Sequence, residues 1–509
     1  MIEKNKTLIV HPFLFAIFPS FFLYAHNMGH VYFNQILMPI GVILFFTFLT
    51  LILLKLIIKD VRKVGLLVSI SLILFFSYGH IYELIKIWQL SNFSNSSFHI
   101  HRYILLVFFT IFSSASYFIL KTKKDLARLT NAFNTAGSVL IFTSIINIAI
   151  FFTTENFIDN DVSSSEITTK NGLDRNLLPD IYYIVPDALT SSENLIEFFD
   201  YNNEDFANEL TSKGFYIASN SKSNYMRTPL SLSSALNMQY LPDDYKKNNL
   251  NIANNKVIEL LKLYGYKYIH FNSGWSHTER NIFADIEINC GKVDEFILIL
   301  VPTTILRIID EKFNFLRSEI RDRVLCTFLK LSEIHKIKGP KFIFSHIQSP
   351  HPPFVFGENG EQASNTSLSL ITWDPPQGYL NQVKFIEKKL LNLTDSIIAK
   401  SKVPPIIIIQ GDHGSAATFS DKQDPLGIVP TNQNIKEIMG IFNALYLPGN
   451  NKNYLYKSIS PVNNFRLIFN SYFNENFSLL PDSSYYTWPG KNQFVNVTEI
   501  VNEKLGDLK

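Results

Sequence analysis

The sequence has 509 residues, which is long enough for more than one domain. Hydrophobic residues make up 47% of it, and its mean hydropathy of +0.09 is high for a fully soluble protein. The net charge of +2 gives no global basic field, so nucleic acid is not an expected partner. The two cysteines, Cys290 and Cys326, exclude a disulfide framework and a CxxC metal site, and they leave open whether these two thiols pair.

The apolar residues are concentrated in the first third of the chain. Each stretch there approaches the ~20 residues that a helix needs to cross ~30 Å of hydrocarbon. The segment Ile81–Phe93 either lies flat at the outer membrane interface or extends the third stretch. The stretches contain few charges, so a pure transporter is disfavoured. We therefore predict five transmembrane helices: Leu8–Tyr24, Ile36–Ile58, Val64–Ile81, Tyr103–Leu120 and Ala136–Phe152.

The basic residues of the short loops predict the orientation of these helices. Lys4 and Lys6 precede the first stretch, and further lysines and arginines follow the second stretch (59–63) and the fourth (121–128). The intervening loops are poor in both residue types. The positive-inside rule therefore predicts a cytoplasmic N-terminus, and five crossings place the chain after about residue 152 outside the cytoplasm.

A second region with a different pattern follows a polar linker. Short apolar runs alternate there with amphipathic stretches, which predicts a mainly parallel sheet with helices on both faces. The predicted domains are 1–155 (transmembrane), 156–178 (linker), 179–470 (catalytic) and 471–509 (C-terminal extension). The predicted helices are Asn194–Lys213, Lys256–Tyr264 and Gln382–Lys400. The predicted strands are Ile181–Val185, Gly214–Ala218, Tyr266–Phe271, Lys341–His346, Pro405–Gln410 and Ile441–Leu447.

Acids and histidines follow several of these strands. Asp187 comes after the first strand, Asp412 and His413 come after Pro405–Gln410, and His351 follows Lys341–His346. Functional groups gather at the carboxyl ends of parallel strands, and carboxylates with imidazoles bind divalent metals such as zinc or manganese. Taken singly, Asp187 is more simply explained as a helix cap, and Asp412-His413-Gly414 is equally well explained as a tight turn. The three strand ends together favour a metal site.

The motifs carry a resemblance to a known family. They are PDIYYIVPDA (179–188), SHIQSPHPPF (345–354) and IIIIQGDHG (406–414), with Thr228 about 40 residues after Asp187. This pattern resembles the alkaline phosphatase/sulfatase superfamily. Together with the five predicted spans, it is similar to the membrane-bound branch that contains the lipoteichoic acid synthases and the lipid A phosphoethanolamine transferases. The resemblance implies a sulfatase-like (alkaline phosphatase-like) α/β domain after the transmembrane bundle.

The resemblance also implies roles for individual residues. Asp187, Thr228, Asp412 and His413 would hold one or two divalent ions, and Thr228 would be the nucleophile. Many membrane-bound relatives have Glu where this chain has Asp187. Substrate contacts would come from His351, Trp275, His270 and Arg227. Trp275 and His270 have core packing as their alternative, and Arg227 has a solvent-facing position.

The nucleophile has alternatives. The Cys/Ser-x-Pro-x-Arg frame that sulfatases convert to formylglycine does not occur, which disfavours sulfate ester cleavage. Ser223 and Ser231 remain alternative nucleophiles. Thr228 is also a good helix N-cap, with Pro229 at the first helical position. A hydroxyl at a helix N-terminus lies where an anion is favoured, so the two interpretations are compatible.

The function implied by the resemblance is phosphotransfer at the plasma (inner) membrane, with the catalytic domain outside the cytoplasm. A phospho-headgroup would move from a phospholipid or other lipid-linked donor to an envelope glycan or lipid acceptor. Two alternatives stay open. One is an extracytoplasmic phosphodiesterase or sulfatase-like hydrolase, and the other is a catalytically silent membrane scaffold.

Overall fold

The computed structural model describes residues 8–28, 31–92, 100–155, 177–242, 252–363, 368–369, 371–421, 425–449, 454–488 and 493–503. The chain forms two compact units. Unit 1 is Met1–Asp159 with Val293–Leu316, and unit 2 is Asn160–Lys292 with Arg317–Lys509. Val293–Leu316 packs within unit 1, although the sequence pattern places it inside the predicted catalytic domain. The domain boundaries proposed from the sequence remain predictions.

Unit 1 is helical in its described residues. Four of its helices are long and apolar enough to cross a membrane, over Phe33–Ile57, Val61–Lys86, Ile100–Lys121 and Ala127–Thr153. The first helix, His11–His26, has 16 residues, so the first of the five predicted spans remains a prediction. The helices of unit 1 are α1 (His11–His26), α2 (Phe33–Ile57), α3 (Val61–Asn92), α4 (Ile100–Lys121), α5 (Ala127–Glu155), α10 (Glu295–Thr303) and α11 (Arg307–Phe313).

The surface of these helices is apolar in the way that lipid contact requires. Phe45 on α2, Phe109 on α4 and Phe142 on α5 are 62%, 69% and 63% exposed. Large exposed apolar side chains recur along all three helices, which would be unfavourable in water. The segment Ile81–Phe93 is helical as far as Asn92, because α3 continues without a break. This favours the extended third helix over a separate interfacial segment.

Unit 2 contains a seven-stranded sheet of order β2-β7-β6-β1-β5-β3-β4. The pairs β6/β1, β1/β5, β5/β3 and β3/β4 are parallel, while β7 is antiparallel to β6 and to β2. The mainly parallel sheet predicted from the sequence is confirmed. The strands are β1 (Ile181–Pro186), β2 (Tyr216–Ile217), β3 (Lys267–Asn272), β4 (Ile286–Asn289), β5 (Lys341–Ile347), β6 (Ile406–Gln410) and β7 (Asn443–Tyr446), with a separate pair β8 (Tyr485–Thr487) and β9 (Phe494–Asn496).

The helices of unit 2 largely follow the amphipathic stretches. The predicted helix Asn194–Lys213 is two helices, because Asp200 ends the first of them in the left-handed conformation at φ 50°. The edge strand β4 was not predicted, since its four residues alternate between half-buried and exposed. The helices are α6 (Ser192–Phe199), α7 (Glu204–Ser212), α8 (Thr228–Asn237), α9 (Lys256–Leu263), α12 (Phe315–Leu331), α13 (Pro376–Lys400), α14 (Asn432–Met439), α15 (Pro461–Phe473) and α16 (Thr498–Asn502).

The core of unit 2 lies on both faces of its central strands. All residues of β1, β5 and β6 are buried, as expected for parallel strands that are covered on both faces. Cys290 and Cys326 form a disulfide, which answers the question that the sequence left open. β6, β1 and β5 are neighbours in the sheet, so their carboxyl ends lie side by side.

Candidate metal centre

Three neighbouring strands deliver acids and histidines to one edge of the sheet. Asp187 directly follows β1, and its amide continues the ladder by donating to the carbonyl of Ile347 at 2.8 Å. His346 belongs to β5 and pairs with Val185 of β1. Asp412 follows β6, separated from it by one glycine. Parallel pairing therefore brings these side chains together.

The loop after β5 turns back toward β1. The amide of His351 donates to the carbonyl of Asp187 at 3.0 Å, which places this histidine beside the acid. The buried Gln382 of α13 holds the same loop. Its Nε2 donates to the carbonyls of Pro350 and His351 at 3.0 and 3.2 Å, and its Oε1 accepts from the amide of Val355 at 2.8 Å. One side chain from a rigid helix thus fixes the backbone that carries His351.

The side chains converge on Asp187. Its Oδ1 lies 3.4 Å from Nε2 of His413, and its Oδ2 lies 3.4 Å from Nε2 of His346. The Oδ2 atom of Asp412 lies 3.7 Å from the same nitrogen of His413. Two overlapping groups have potential ligand atoms within 4.8 Å of one another. They are Asp187 with His351 and His413, and Asp187 with His346 and Asp412.

The hydrogen bonds of the two loop histidines leave one nitrogen of each available. Nδ1 of His413 lies 2.7 Å from the carbonyl oxygen of Gly414, and Nδ1 of His351 lies 2.8 Å from that of Pro352. A carbonyl oxygen only accepts, so both Nδ1 atoms are donors. In the neutral rings, the Nε2 lone pairs are therefore the available acceptors. A metal-ligating histidine usually shows this second hydrogen bond.

The centre contains buried polar atoms without partners. Oδ1 of Asp187, Oδ2 of Asp412 and Nε2 of His346 have no hydrogen-bond partner among the residues that the structure describes. Buried polar atoms are normally paired, and unpaired carboxylate oxygens are especially costly to bury. A cation among these atoms would remove that cost. Carboxylate oxygens with imidazole nitrogens form a donor set that fits zinc or manganese.

The electrostatics of the centre favour a charged Asp187. Burial would raise the pKa of this carboxyl, but His351, His346 and His413 outweigh it and hold the pKa well below its usual value. Burial lowers the pKa of His351, in spite of the opposing effect of Asp187. For His346, burial would lower the pKa, but the negative charge of Asp187 at 3.4 Å overcomes it and raises the pKa.

The loop that carries Asp412 and His413 is held from several sides. Asp412 Oδ1 accepts a hydrogen bond from the amide of Ala188 at 3.0 Å. Its backbone carbonyl accepts from the hydroxyl of Ser231 at 2.7 Å and also from that of Ser223. Gly414 packs so closely on α14 that an added Cβ would lie 2.3 Å from the carbonyl oxygen of Glu437. Gly414, the last residue of the Gly-Asp-His-Gly motif, is therefore required by backbone packing.

Thr228 is the first residue of α8, and it is buried. Arg227 occupies the N-cap position, so Thr228 is not the cap that the sequence analysis described as one alternative. Ser231 lies one turn later on the same helix face and bonds to Asp412, which brings the start of α8 to the loop that carries Asp412 and His413. The Thr228 hydroxyl has no hydrogen-bond partner among the described residues, whereas Ser223 and Ser231 are engaged by Asp412.

The other predicted substrate contacts differ in their surroundings. The ring of Trp275 lies 5.8 Å from that of His346, next to the centre. His270 is fully buried, and its nitrogens lie 3.0 and 2.9 Å from the Tyr268 hydroxyl and the Thr278 carbonyl. Burial lowers the pKa of His270 to about 4, so it is a neutral core histidine and we no longer propose it as a substrate contact. Arg227 is exposed, and we carry it no further as a contact.

Sequence reasoning missed two residues of the centre. His346 was taken as the last residue of an apolar strand, although a histidine in a run of buried aliphatic and aromatic residues is a usable signal of a site. Its Nδ1 lies 2.8 Å from Oγ1 of Thr278, which orients the ring. Gln382 was assigned to an amphipathic helix, and its role depends on a loop that is distant in sequence.

No protein-family model and no curated protein matches this chain. Among solved structures, the C-terminal periplasmic domain of EptC from Escherichia coli is similar at 12% identity and a TM-score of 0.46, covering 67% of this chain and 96% of that one. The periplasmic domain of the phosphoethanolamine transferase EptC from Campylobacter jejuni is 13% identical, with a TM-score of 0.38 over 60% of this chain and 92% of that one. The integral membrane lipooligosaccharide phosphoethanolamine transferase A from Neisseria meningitidis is 11% identical, with a TM-score of 0.38 over 90% of this chain and 93% of that one.

Proposed function

We propose that this chain is a membrane-anchored, metal-dependent phosphotransferase whose nucleophile is the hydroxyl of Thr228. The observation that carries the proposal is the convergence of Asp187, Asp412, His413 and His351 from neighbouring strand ends, with unpaired buried atoms among them. An uncommitted hydroxyl at a helix N-terminus adjoins the same loop. The motif resemblance to phosphotransferases of the alkaline phosphatase/sulfatase superfamily agrees with this chemistry.

Asp187, Asp412 and His413 would hold the metal together with the Thr228 oxygen, and His346 adds an imidazole to the three residues proposed from the sequence. Three histidines near two carboxylates favour zinc over manganese, because imidazole nitrogen is a softer donor than oxygen. When bound, the ion supplies positive charge that lowers the pKa of a hydroxyl and stabilises negative charge on a phosphoryl group. The identity of the metal is part of the proposal.

The reaction would proceed in two displacements on the chain's own residues. The Thr228 oxygen attacks phosphorus and releases its proton, the bond to the lipid alcohol breaks, and a phosphodiester between Thr228 and the headgroup forms. The departing oxygen takes up a proton. An acceptor hydroxyl then attacks the same phosphorus, loses its proton and restores the Thr228 hydroxyl. The N-terminal amides of α8 favour the anionic phosphoryl group, and His351 is placed to move the protons.

The proposed donor is a phospholipid or another lipid-linked phosphodiester, and the proposed acceptor is an envelope glycan or lipid. The four apolar helices bring the chain to a membrane, where such donors are present. Positively charged loops support a cytoplasmic N-terminus and an extracytoplasmic unit 2 at the plasma (inner) membrane. The disulfide is consistent with an oxidising compartment.

Sulfate ester cleavage is a weaker alternative. Sulfatases need a formylglycine made from a cysteine or serine, and both cysteines of this chain are in the disulfide. The serine frame that such conversion requires does not occur in the sequence. Hydrolysis of a phosphodiester and a silent scaffold remain the two alternatives that the experiment must separate.

The test is turnover by the full-length protein in nanodiscs that contain fluorescent phosphatidylethanolamine or phosphatidylglycerol. Bound zinc and manganese are measured in the same preparation, beside Thr228→Ala and the conservative Thr228→Ser. The proposal predicts bound metal, release of fluorescent diacylglycerol by the wild type, loss of release in Thr228→Ala and partial release in Thr228→Ser.

Other outcomes identify the alternatives. A hydrolase would release diacylglycerol equally with and without an added alcohol acceptor, because water would be the final acceptor. A metal-free preparation with no release from either lipid or from a chromogenic phosphodiester would favour the scaffold. Full release by Thr228→Ala would remove Thr228 from the mechanism.

A further inference from the structure

Residues Val293–Leu316 interrupt unit 2 in the sequence but pack within unit 1. The segment begins with α10, whose sequence EFILILVPT is strongly apolar. Phe296 and Leu300 of α10 are buried in a cluster with residues from the end of α1, the start of α2 and the middle of α3. An apolar segment that leaves a water-facing domain and joins membrane-spanning helices requires a physical explanation.

The backbone of the segment lies directly on α3. The amide of Ile305 donates to the carbonyl of Phe75 at 3.0 Å. An added Cβ on Gly79 would lie 2.1 Å from the carbonyl oxygen of Pro302 and 2.5 Å from Cα of Thr303. Such close approach of two backbones requires glycine, as at helix crossings in membranes. Gly79 therefore marks the crossing point of the segment on α3.

The crossing point lies within the apolar part of α3. Both Phe75 and Gly79 belong to the span Val61–Lys86. Counting from Lys63, at the basic end of α3, a rise of ~1.5 Å per residue places Phe75 at ~18 Å and Gly79 at ~24 Å along the helix. The hydrocarbon core is ~30 Å thick, so residues 302–305 lie at the level of its outer half. Irregular backbone is tolerated at that depth where protein covers it, as α3 does here.

One side of α11 is fixed to α3 and α4 by a polar network. The Arg307 guanidinium lies 2.6 Å from Glu83, 2.7 Å from Glu311, and 3.9 Å above the ring of Tyr82. Glu311 in turn lies 2.7 Å from Nε2 of His101 on α4. Each charge has an opposite partner, which is the arrangement expected of ionisable groups near the apolar region of a membrane.

The other side of α11 is apolar and uncovered in the structure. Leu306, Ile309 and Phe313 follow one another at helical spacing and are 40%, 47% and 57% exposed. Phe315, just beyond the helix, is 60% exposed. Lys312 lies beside this side with its ammonium 5.4 Å from the ring of Phe313. A basic residue next to aromatic and aliphatic groups is typical of a helix at a lipid interface.

We propose that Val293–Leu316 is a re-entrant membrane segment, which enters the outer leaflet and contacts lipid through Leu306, Ile309 and Phe313. The polar network with α3 and α4 sets its rotation, so that the charged side faces the spans and the apolar side faces the acyl chains. The segment is a second membrane attachment of the chain in addition to the N-terminal spans. The inference does not depend on the proposed phosphotransferase activity.

The proposal is tested on the full-length protein in nanodiscs of phosphatidylethanolamine and phosphatidylglycerol. A cysteine is introduced singly by Ile309→Cys or by Phe313→Cys and labelled with the fluorophore NBD. The native cysteines are disulfide-bonded, and the described residues contain no free cysteine that would compete. Phe109→Cys, at an exposed position of α4, is the lipid reference, and Ile282→Cys, at a position of unit 2 that is 83% exposed, is the water reference.

The expected result is blue-shifted emission at positions 309 and 313, strong quenching by nitroxide-labelled lipid and weak quenching by iodide, as at position 109. The two test positions lie on exposed side chains, so both labels are compatible with folding, and each serves as a check on the other. Emission and quenching at both positions equal to those at position 282 would overturn the proposal.

Discussion

Oδ1 of Asp187 lies 3.4 Å from Nε2 of His413, and it accepts no hydrogen bond from the residues that the structure describes. His413 already donates from Nδ1 to the carbonyl oxygen of Gly414. In the neutral ring, two acceptor atoms therefore face each other in a buried space. A shared cation explains this contact better than an ion pair, because it also accounts for the unpaired Oδ2 of Asp412.

Asp187→Asn should abolish tight metal binding. The substitution keeps the size of the side chain but removes the negative charge that both candidate ligand groups share. We expect at least about a tenfold loss of metal affinity, the magnitude typical of a change at a metal site. Metal analysis after dialysis of the full-length protein measures it. The matched control is Asp285→Asn, which changes a half-exposed acid paired with Lys262 and should leave the metal bound. Equal metal content in the two variants would argue against the proposed centre.

Gln382→Glu should lower kcat, and not only the melting temperature. The carboxylate keeps an acceptor for the amide of Val355 but cannot donate to the carbonyls of Pro350 and His351. Buried carbonyls that lose their donor cost about 1–3 kcal/mol each, and the loop that carries His351 would shift. The expected change is a lower kcat with little change in KM. Gln377→Glu, at an exposed position of the same helix, is the control; a fall in melting temperature with unchanged kcat would assign Gln382 a purely structural role.

Much of unit 2 could be predicted because its strands are short apolar runs that end in recognisable polar residues. Asp187 and Asp412 were proposed as site residues in this way, since parallel strands carry their functional groups at one edge. Gln382 was not, because its function consists of hydrogen bonds to a loop about 30 residues away in sequence. Residues 293–316 were also missed as part of unit 1. Their apolar run is short, and local sequence does not reveal which surface covers it.

Glu387 should make the protein less stable as the pH rises from about 4.5 to about 7. Burial raises the pKa of this carboxyl from 4.5 to about 7, while hydrogen bonds from Asn203 and Tyr201 oppose the shift. The folded state therefore binds this proton more tightly than the unfolded state does. The stabilisation is complete below the unfolded pKa and is lost as the pH passes the folded one.

Thermal unfolding of the full-length protein at several pH values measures the effect. The contribution is about 3 kcal/mol by the linkage relation. Glu387→Gln keeps a polar group of the same size. Between about pH 5 and about pH 7.5, the melting temperature of this variant should fall less than that of the wild type. Parallel pH profiles of the two proteins would show that Glu387 is charged in the folded state throughout.

Replacing the disulfide should destabilise unit 2 without removing the metal centre. Cys290 and Cys326 close a loop of 36 residues in sequence separation, and such cross-links typically contribute about 2–4 kcal/mol. The double variant Cys290→Ser with Cys326→Ser should unfold at a lower temperature than the wild type but still bind metal. Reduction of the wild type should reproduce the shift and should leave the double variant unchanged. If reduction also lowered the unfolding temperature of the double variant, the effect of reduction would not arise from this disulfide.

The central claim is that the Thr228 oxygen becomes covalently bound to phosphorus. The most direct measurement is mass spectrometry of peptides from the full-length protein, quenched in acid after incubation with phosphatidylethanolamine or phosphatidylglycerol in the absence of an acceptor. The account predicts a phospho-headgroup adduct on Thr228, which Ser233→Ala on the same helix retains and Thr228→Ala loses. Lipid turnover without an adduct on Thr228, or with an adduct on Ser223 or Ser231 instead, would contradict it.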